Sequence, residues 1–438
     1  MDLISLLNNT ANGLSAIQAK AATTSNNIAN ANTPGYAQQQ ANLAEATSSA
    51  LGGNRGYIGG GVFLLNVTQT RDQFVESQLP TGFSHSSSST AESDALASVS
   101  TFNNGVDGNL SDAMSAFYSS LTALAQNPGD TSLRQSAVQS ASWLVSSFNR
   151  TSVAVEQARS GIDASVTSTV QQVNSTLAQV AQLIGATQVP DAYGNISLVL
   201  PGGTTLVSSS VAATLTVQGN ATNKGHTDLV FTPADGSAPV VLKQSELGGQ
   251  IGGLLSARDG ALGTASTDLD NLAFSFATTI NGQNQAGYDL NGNRGGNVFT
   301  LGATPANTAN TITLDSALAS DPSLLAAAGA AISGPGDATN LAAMVATQSA
   351  PLSNGLDVQK GLAKIVSDFG TAAADSQNAA TFNKSMLQNL QDTRASVSGV
   401  SLDDEMVGLL QAQHAYEALA KVITTAADML ETLIQLKS

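Results

Sequence analysis

Three histidines, 32 acidic side chains and no cysteine are the groups with which this chain of 438 residues could do chemistry. A nucleophilic triad needs a histidine held between a nucleophile and an orienting partner, and zinc needs clustered ligands. His85 falls in the Ser-rich stretch "SHSSSST", read as a loop, His226 in a polar turn and His414 on the last helical segment. Scattered in this way, they read as solvated or packed side chains. Asp403, Asp404 and Glu405 are consecutive, and consecutive residues on a helix do not face one another, so they suit the positive end of a helix better than an acid pair. "DLNGNRGG" places Asp289, Asn291 and Asn293 at calcium-loop spacing, but Arg294 takes the glycine position and Thr300 the place of the bidentate glutamate, which leaves an ordinary polar turn. "GGQIGG", 248–253, lacks the spacing of a dinucleotide fingerprint and reads as a hinge where the chain crosses between domains. No catalytic, metal or cofactor site is expected, and the chain does not read as an enzyme.

Sixteen basic against 32 acidic residues give a formal net charge of -16, with no basic cluster, which argues against nucleic acid or an anionic membrane as partner. The opening "MDLISLLNNT" carries Asp2 and lacks the basic and apolar regions of a cleavable export signal. No apolar run approaches the roughly 18 residues that span a bilayer. The absence of cysteine fits life outside a reducing compartment without proving it.

The elements that would position any function lie at the two ends. Leu3, Leu7, Leu14, Ile17, Ala21 and Ile28 repeat at coiled-coil spacing, interrupted by Thr10 and Thr24, a narrow seam for one partner helix. The segment from Ser401, with Asp404 three residues on, starts a helix whose Met406, Leu409, Leu410, Tyr416, Leu419, Ile423, Ala427, Leu430, Leu433 and Ile434 cover a broader face. Two amphipathic ends without cores of their own pair most economically with each other, and Leu419, Ile423 and Leu430 are read as surplus to that pairing. Between them, "SNNIANANTPGY" stops the first helix through Asn26, Asn27, Asn30 and Asn32 and turns the chain at Pro34-Gly35.

The middle is a long-helix bundle interrupted by β structure. Met114, Phe117, Leu121 and Leu124 mark one helix, stopped by "NPGD", and the pattern from Thr131 to Ile184 predicts a rod of about 55 residues. Trp143 on that rod is expected in the core. "NISLVL", "ATLTVQ", "HTDLVFTP" and "APVVLKQ" read as strands between turns. The expected fold is mainly α with an inserted β domain, built as nested discontinuous domains. Residues 1–50 with 400–438 form the terminal coiled coil, 51–187 with 250–399 a helical bundle with short β segments, and 188–249 the inserted β domain.

"SNNIANANTPGY" resembles the N-terminal signature of the bacterial flagellar rod and hook protein family, matching at Asn26, Asn27, Ile28, Ala29, Asn30, Thr33, Pro34, Gly35 and Tyr36. "SGVSLDDEMVGLLQAQHAYEALAKVITTAADMLETLIQL" and, in the middle, "GGQIGGLLSARDGAL" are similar to segments of the family member at the junction of hook and filament. The helical middle separates the chain from the hook and distal rod proteins, the alternatives within the family. A secreted adhesin or hydrolase is the alternative outside it. The resemblance implies a structural subunit without cofactor, exported to the bacterial flagellum without a cleaved signal. Its implied partners are further copies in a ring, the hook protein, the second junction protein (hook-associated protein 3) and an export chaperone. The assembly surface would be Leu3, Leu7, Leu14, Ile17, Ile28, Met406, Leu409, Tyr416, Leu419, Ile423, Leu430 and Leu433, with Asn26, Asn27, Asn30, Thr33, Pro34, Gly35 and Tyr36 shaping the turn.

Overall fold

The computed structural model describes residues 3–33, 35–47, 49–50, 57–99, 110–175, 180–190, 196–208, 211–233, 236–331, 334–353 and 355–435. The chain is mainly helical with small antiparallel sheets in its middle. It divides into two compact units, Met1–Leu79 with Ser385–Ser438, and Pro80–Lys384. Neither boundary breaks a helix: they fall within Gln73–Ala97 and Val358–Ser398. The first falls at Pro80, a proline inside its helix, and the second at no punctuating residue.

In the first unit the N-terminal helix Leu3–Asn30 packs along the C-terminal helix Leu402–Gln435. Asn27 lies against Glu405, Thr24 near Gly408 and Gly13 near Leu419, so the two run antiparallel. The strands Gln39–Glu45 and Val62–Gln69 form a two-stranded antiparallel ribbon with a register shift at Asn42/Leu43. The ribbon rests on the N-terminal helix, where Asn9 Nδ2 donates to the Gly59 carbonyl at 3.1 Å. Gly61 closes this approach with φ +88°, where a side chain would be strained and would meet the Asn9 backbone.

The second unit has a true aromatic core. Phe117, Tyr118, Phe148, Phe276 and Phe299 are all nearly inaccessible, with ring centroids 5.4–6.3 Å apart in mostly edge-on and tilted pairs. Around it stand the helices Leu110–Gln126, Thr131–Ser175 and Leu262–Ala286. Thr131–Ser175 has 45 residues and reaches about 68 Å at 1.5 Å per residue. Residues 176–179 lie outside the described chain, and a short helix Val180–Ile184 follows. The expected strands are present. Thr187–Pro190, Ile196–Val199, Thr205–Ser208 and Val211–Ala212 make a four-stranded antiparallel sheet, and Val240–Leu242, Thr227–Thr232 and Thr214–Gly219 pair in that order in a second.

Three sequence expectations fail here for physical reasons. "SHSSSST" is helical, within Gln73–Ala97. Serine is a poor helix former in isolation, but its small side chain suits a face pressed against another backbone. "GGQIGG" supplies that backbone: it is the helix Gly249–Leu255, and a Cβ on Gly253 would lie 1.9 Å from the Ser88 carbonyl oxygen. The glycines serve close packing and not a hinge. Ser84 Oγ accepts the Gly249 amide at 3.0 Å in the same contact. Trp143, expected in the core, is 37% exposed on the outer side of its helix.

Candidate functional site: the lock between the chain ends

The signature residues form a hydrogen-bonded lock in the first unit. Asn27, 1% exposed, accepts at Oδ1 from the Gln39 amide (2.9 Å) and the Tyr36 hydroxyl (2.8 Å), and donates through Nδ2 to the Gln39 carbonyl (2.8 Å) and Glu405 Oε1 (2.9 Å). One side chain thus joins the first helix, the first strand and the last helix. Gln38 Nε2 donates to the same Glu405 oxygen at 2.7 Å, so the buried carboxylate has two donors. Burial, and then the Glu405 carboxylate, push the Tyr36 phenol above its usual range.

Asn30 and Thr33 shape the exit from the helix. Asn30 Nδ2 donates back to the Asn26 carbonyl (2.9 Å) and side chain (2.8 Å), and the Thr33 hydroxyl donates to Asn30 Oδ1 at 3.3 Å. Gly35 follows at φ +82°, and its carbonyl accepts from Arg394 at 3.0 Å. Arg394 also donates through Nε to Glu76 at 2.7 Å, with Arg71 3.8 Å away. Pro34 lies outside the described residues. At the other partner, Ser401 caps the last helix: its Oγ accepts the Asp404 amide at 3.3 Å and its carbonyl the Glu405 amide at 3.0 Å.

The seam between the helices is smaller and more polar than its pattern suggests. Its inaccessible residues are Thr10, Ala16, Thr24, Asn27, Glu405, Ala412 and Ala426. Thr10 satisfies its hydroxyl on the Leu6 carbonyl at 2.6 Å. Leu3, Leu7, Leu14, Ile17 and Ile28 are half-buried along it, as are Leu409, Leu419, Ile423 and Leu430 from the last helix. Leu419, Ile423 and Leu430 therefore belong to the pairing and not to a surplus face. Met406, Tyr416 and Leu433 are exposed, and beside them stand Leu402, Val407, Leu410 and Met429, at 46–53%. The ribbon exposes Phe63, Leu65 and Val67 as well.

Glu405, Gln38, Gln39 and Arg394 carry the lock but were not singled out for it from sequence. For Glu405 a signal existed: it stands at coiled-coil spacing from Leu409, Ala412, Leu419 and Ile423 and so falls on the seam.

The remaining histidines do not meet here. His85 is exposed on its helix, His414 is exposed, and His226 is 4% exposed in the second unit with a carboxylate at each ring nitrogen. Among the described residues no group of three or more His, Cys, Asp or Glu could hold a metal ion, and no helix is long and apolar enough to cross a membrane. Asp289, from the calcium-like loop, accepts the Asn291 and Asn293 amides at 2.8 Å, closing a polar turn.

A lock that closes both chain ends on each other, beside exposed apolar helix faces, is an arrangement for assembly. Both ends match flagellar axial families: residues 7–36 match the model for flagella basal body rod protein, and residues 392–436 that for the flagellar basal body rod FlgEFG protein C-terminal. The class is that of the rod and hook proteins. Residues 97–184 and 177–299 match the helical domain of flagellar hook-associated protein FlgK. Flagellar hook-associated protein 1 of Escherichia coli (strain K12) is 24% identical, over 99% of this chain and 100% of the relative. That of Bacillus subtilis (strain 168) is 25% identical over 96% of each. That of Salmonella typhimurium is 29% identical over 68% of this chain and 60% of the relative. The flagellar hook junction protein FlgK from Burkholderia pseudomallei has a similar fold, with a TM-score of 0.66 and 17% identity, over 74% of this chain and 100% of that one. Across its middle, and along nearly its whole length in two of these relatives, the chain is thus similar to flagellar hook-associated protein 1.

Proposed function

We propose that the chain works as an adaptor ring at the junction between flagellar hook and filament, a structural part on which filament growth depends. The observation that carries this reading is the exposed apolar face of the last helix, Leu402, Met406, Val407, Leu410, Met429 and Leu433. Apolar patches of this kind on a subunit mark contact surfaces. The seam residues Leu3, Leu7, Leu14, Ile17, Ile28, Leu409, Leu419, Ile423 and Leu430 hold the two ends together, and Met406, Tyr416 and Leu433 meet neighbours. The turn from Asn26 to Tyr36 directs the chain away from the paired helices. The partners in this reading are further copies of the chain, the hook protein and hook-associated protein 3. An export chaperone covers the last helix before assembly.

Leu410→Asp tests the reading. The purified monomer should keep its melting temperature, because Leu410 is 53% exposed. Cells should lose filaments and release unpolymerised flagellin, because a carboxylate buried at a subunit contact costs several kcal/mol in every copy. Normal filament numbers would refute the assignment of this face.

A further inference from the structure

With no cysteine in the sequence, every sulfur atom of this chain belongs to one of six methionines. Met1 lies outside the described residues, and the other five divide sharply. Met114 and Met344 are sealed in the hydrophobic core of the second unit at 0% exposure. Met386, Met406 and Met429 are 47%, 56% and 53% exposed, and all three fall in the C-terminal segment of the first unit, Ser385–Ser438.

The exposed three are embedded in apolar surface. Met406 stands one helical turn from Leu402 and one from Leu410, both exposed. Met429 stands one turn from Leu433 and two from Val422, and Met386 shares its helix face with Val397 three turns on, all exposed as well. A thioether on such a surface is flexible and polarizable, so it fits neighbours of more than one shape. The same softness makes it reactive.

A thioether needs no deprotonation to act as a nucleophile. Its sulfur lone pair attacks one oxygen of a peroxide, the O–O bond breaks, and the proton on the transferred oxygen passes to the departing hydroxide, which leaves as water. Sulfur is oxidised by two electrons to the sulfoxide and the peroxide is reduced. The oxidant must reach the sulfur from solvent, so exposure selects the sites. The product is polar where the parent group was apolar, and a sulfoxide oxygen buried at a contact without a donor is penalised as any buried polar group is.

We propose that Met386, Met406 and Met429 are the peroxide-oxidation sites of the free chain, and that sulfoxides at Met406 and Met429 stop the chain from assembling, an effect that rests on the role proposed above for the exposed face of the last helix. Met114 and Met344 stay out of the reaction, so the modification changes the surface and leaves the core of the second unit folded.

The purified full chain is treated with hydrogen peroxide, and sulfoxide is followed at each methionine by peptide mass spectrometry. Met386, Met406 and Met429 should oxidise about tenfold faster than Met114 and Met344, and denaturant should erase the difference. Treated and untreated chain are then supplied to cells that lack it, and filaments are counted. Treated chain should support about tenfold fewer filaments, and repair by the two methionine sulfoxide reductases, one for each sulfoxide epimer, should restore the untreated count. A variant carrying Met406→Leu and Met429→Leu should give the same count before and after peroxide, whatever its own starting level. Equal oxidation of all five methionines in the folded chain would overturn the site assignment. Full filament numbers from treated chain, no recovery on repair, or a peroxide-sensitive double variant would overturn the effect on assembly. Untreated chain that supports no filaments would instead sink the assembly reading, and the effect of the sulfoxides with it.

Discussion

Asn27→Ala should open the first unit while leaving the second intact. The substitution removes four hydrogen bonds at once, to the Gln39 amide and carbonyl, the Tyr36 hydroxyl and Glu405. A buried polar group left without its partner costs about 1–3 kcal/mol. Gln39 and Tyr36 are only half-buried and can recruit water, and Glu405 keeps Gln38, so the low end applies to each. Over the four groups the sum is about 4 kcal/mol, or several hundredfold at about 1.4 kcal/mol per decade. Amide exchange in residues 16–30 should accelerate by that factor in the purified monomer, with no change in Leu110–Gln126. Asn27→Asp refines the test. It keeps the acceptor for Gln39 and Tyr36 but sets a second carboxylate against Glu405, where the amide nitrogen now lies 2.9 Å away. Like charges so close favour sharing a proton. That variant should therefore gain stability as pH falls, and Glu405→Gln should rescue it at neutral pH. An acceleration below about fivefold for Asn27→Ala, or an Asn27→Asp variant indifferent to pH and to Glu405→Gln, would refute the lock.

Three further outcomes follow from the packing. Ile423→Asp, on the half-buried seam, should cost the monomer about 1–3 kcal/mol, seen as faster exchange in the N-terminal helix. Gly253→Ala sets a methyl 1.9 Å from the Ser88 carbonyl, a backbone atom that cannot swing aside, and should lower the calorimetric melting temperature of the second unit by the equivalent of about 1–3 kcal/mol. Glu156, brought from 4.5 to about 2 in the fold, stabilises the native state fully above pH 4.5 and loses that contribution as pH falls toward 2. Acid titration of Glu156→Gln should thus show a shallower decline over that window than the parent chain.

The architecture was readable where a pattern has one physical solution. Two amphipathic ends without cores had to find each other, and β-branched runs between turn residues had to form sheets. The sequence misled where the meaning of a residue depends on its neighbour in space. Ser84 and Ser88 read as a loop until the glycines 248–253 are seen against them, since neither partner alone specifies a close crossing. Thr10 and Thr24 read as interruptions of an apolar stripe, yet they are its most buried members, because two helices that approach closely favour small residues at the contact. Trp143 read as core because aromatic residues usually are. His226 read as a polar turn because Glu156 and Asp163 stand some 60–70 positions away. Glu405 was legible, standing in step with the seam, but its charge suggested a helix end first.

Asn27 and Glu405 are separated by 378 positions, whereas the second unit is a single uninterrupted stretch, Pro80–Lys384. That difference imposes an order of events on folding. Pro80–Lys384 can consolidate its aromatic core as soon as those residues are present, while the N-terminal helix has nothing to close on. Folding the intervening stretch first also shortens the chain that must be looped to bring the two ends together, which lowers the entropy cost of the last contact. The lock therefore closes last and depends on residues at both extremes. A chain interrupted between Lys384 and Glu405 would keep the whole middle unit yet carry an unclosed leading helix, so the lock acts as a test of completeness applied to each molecule.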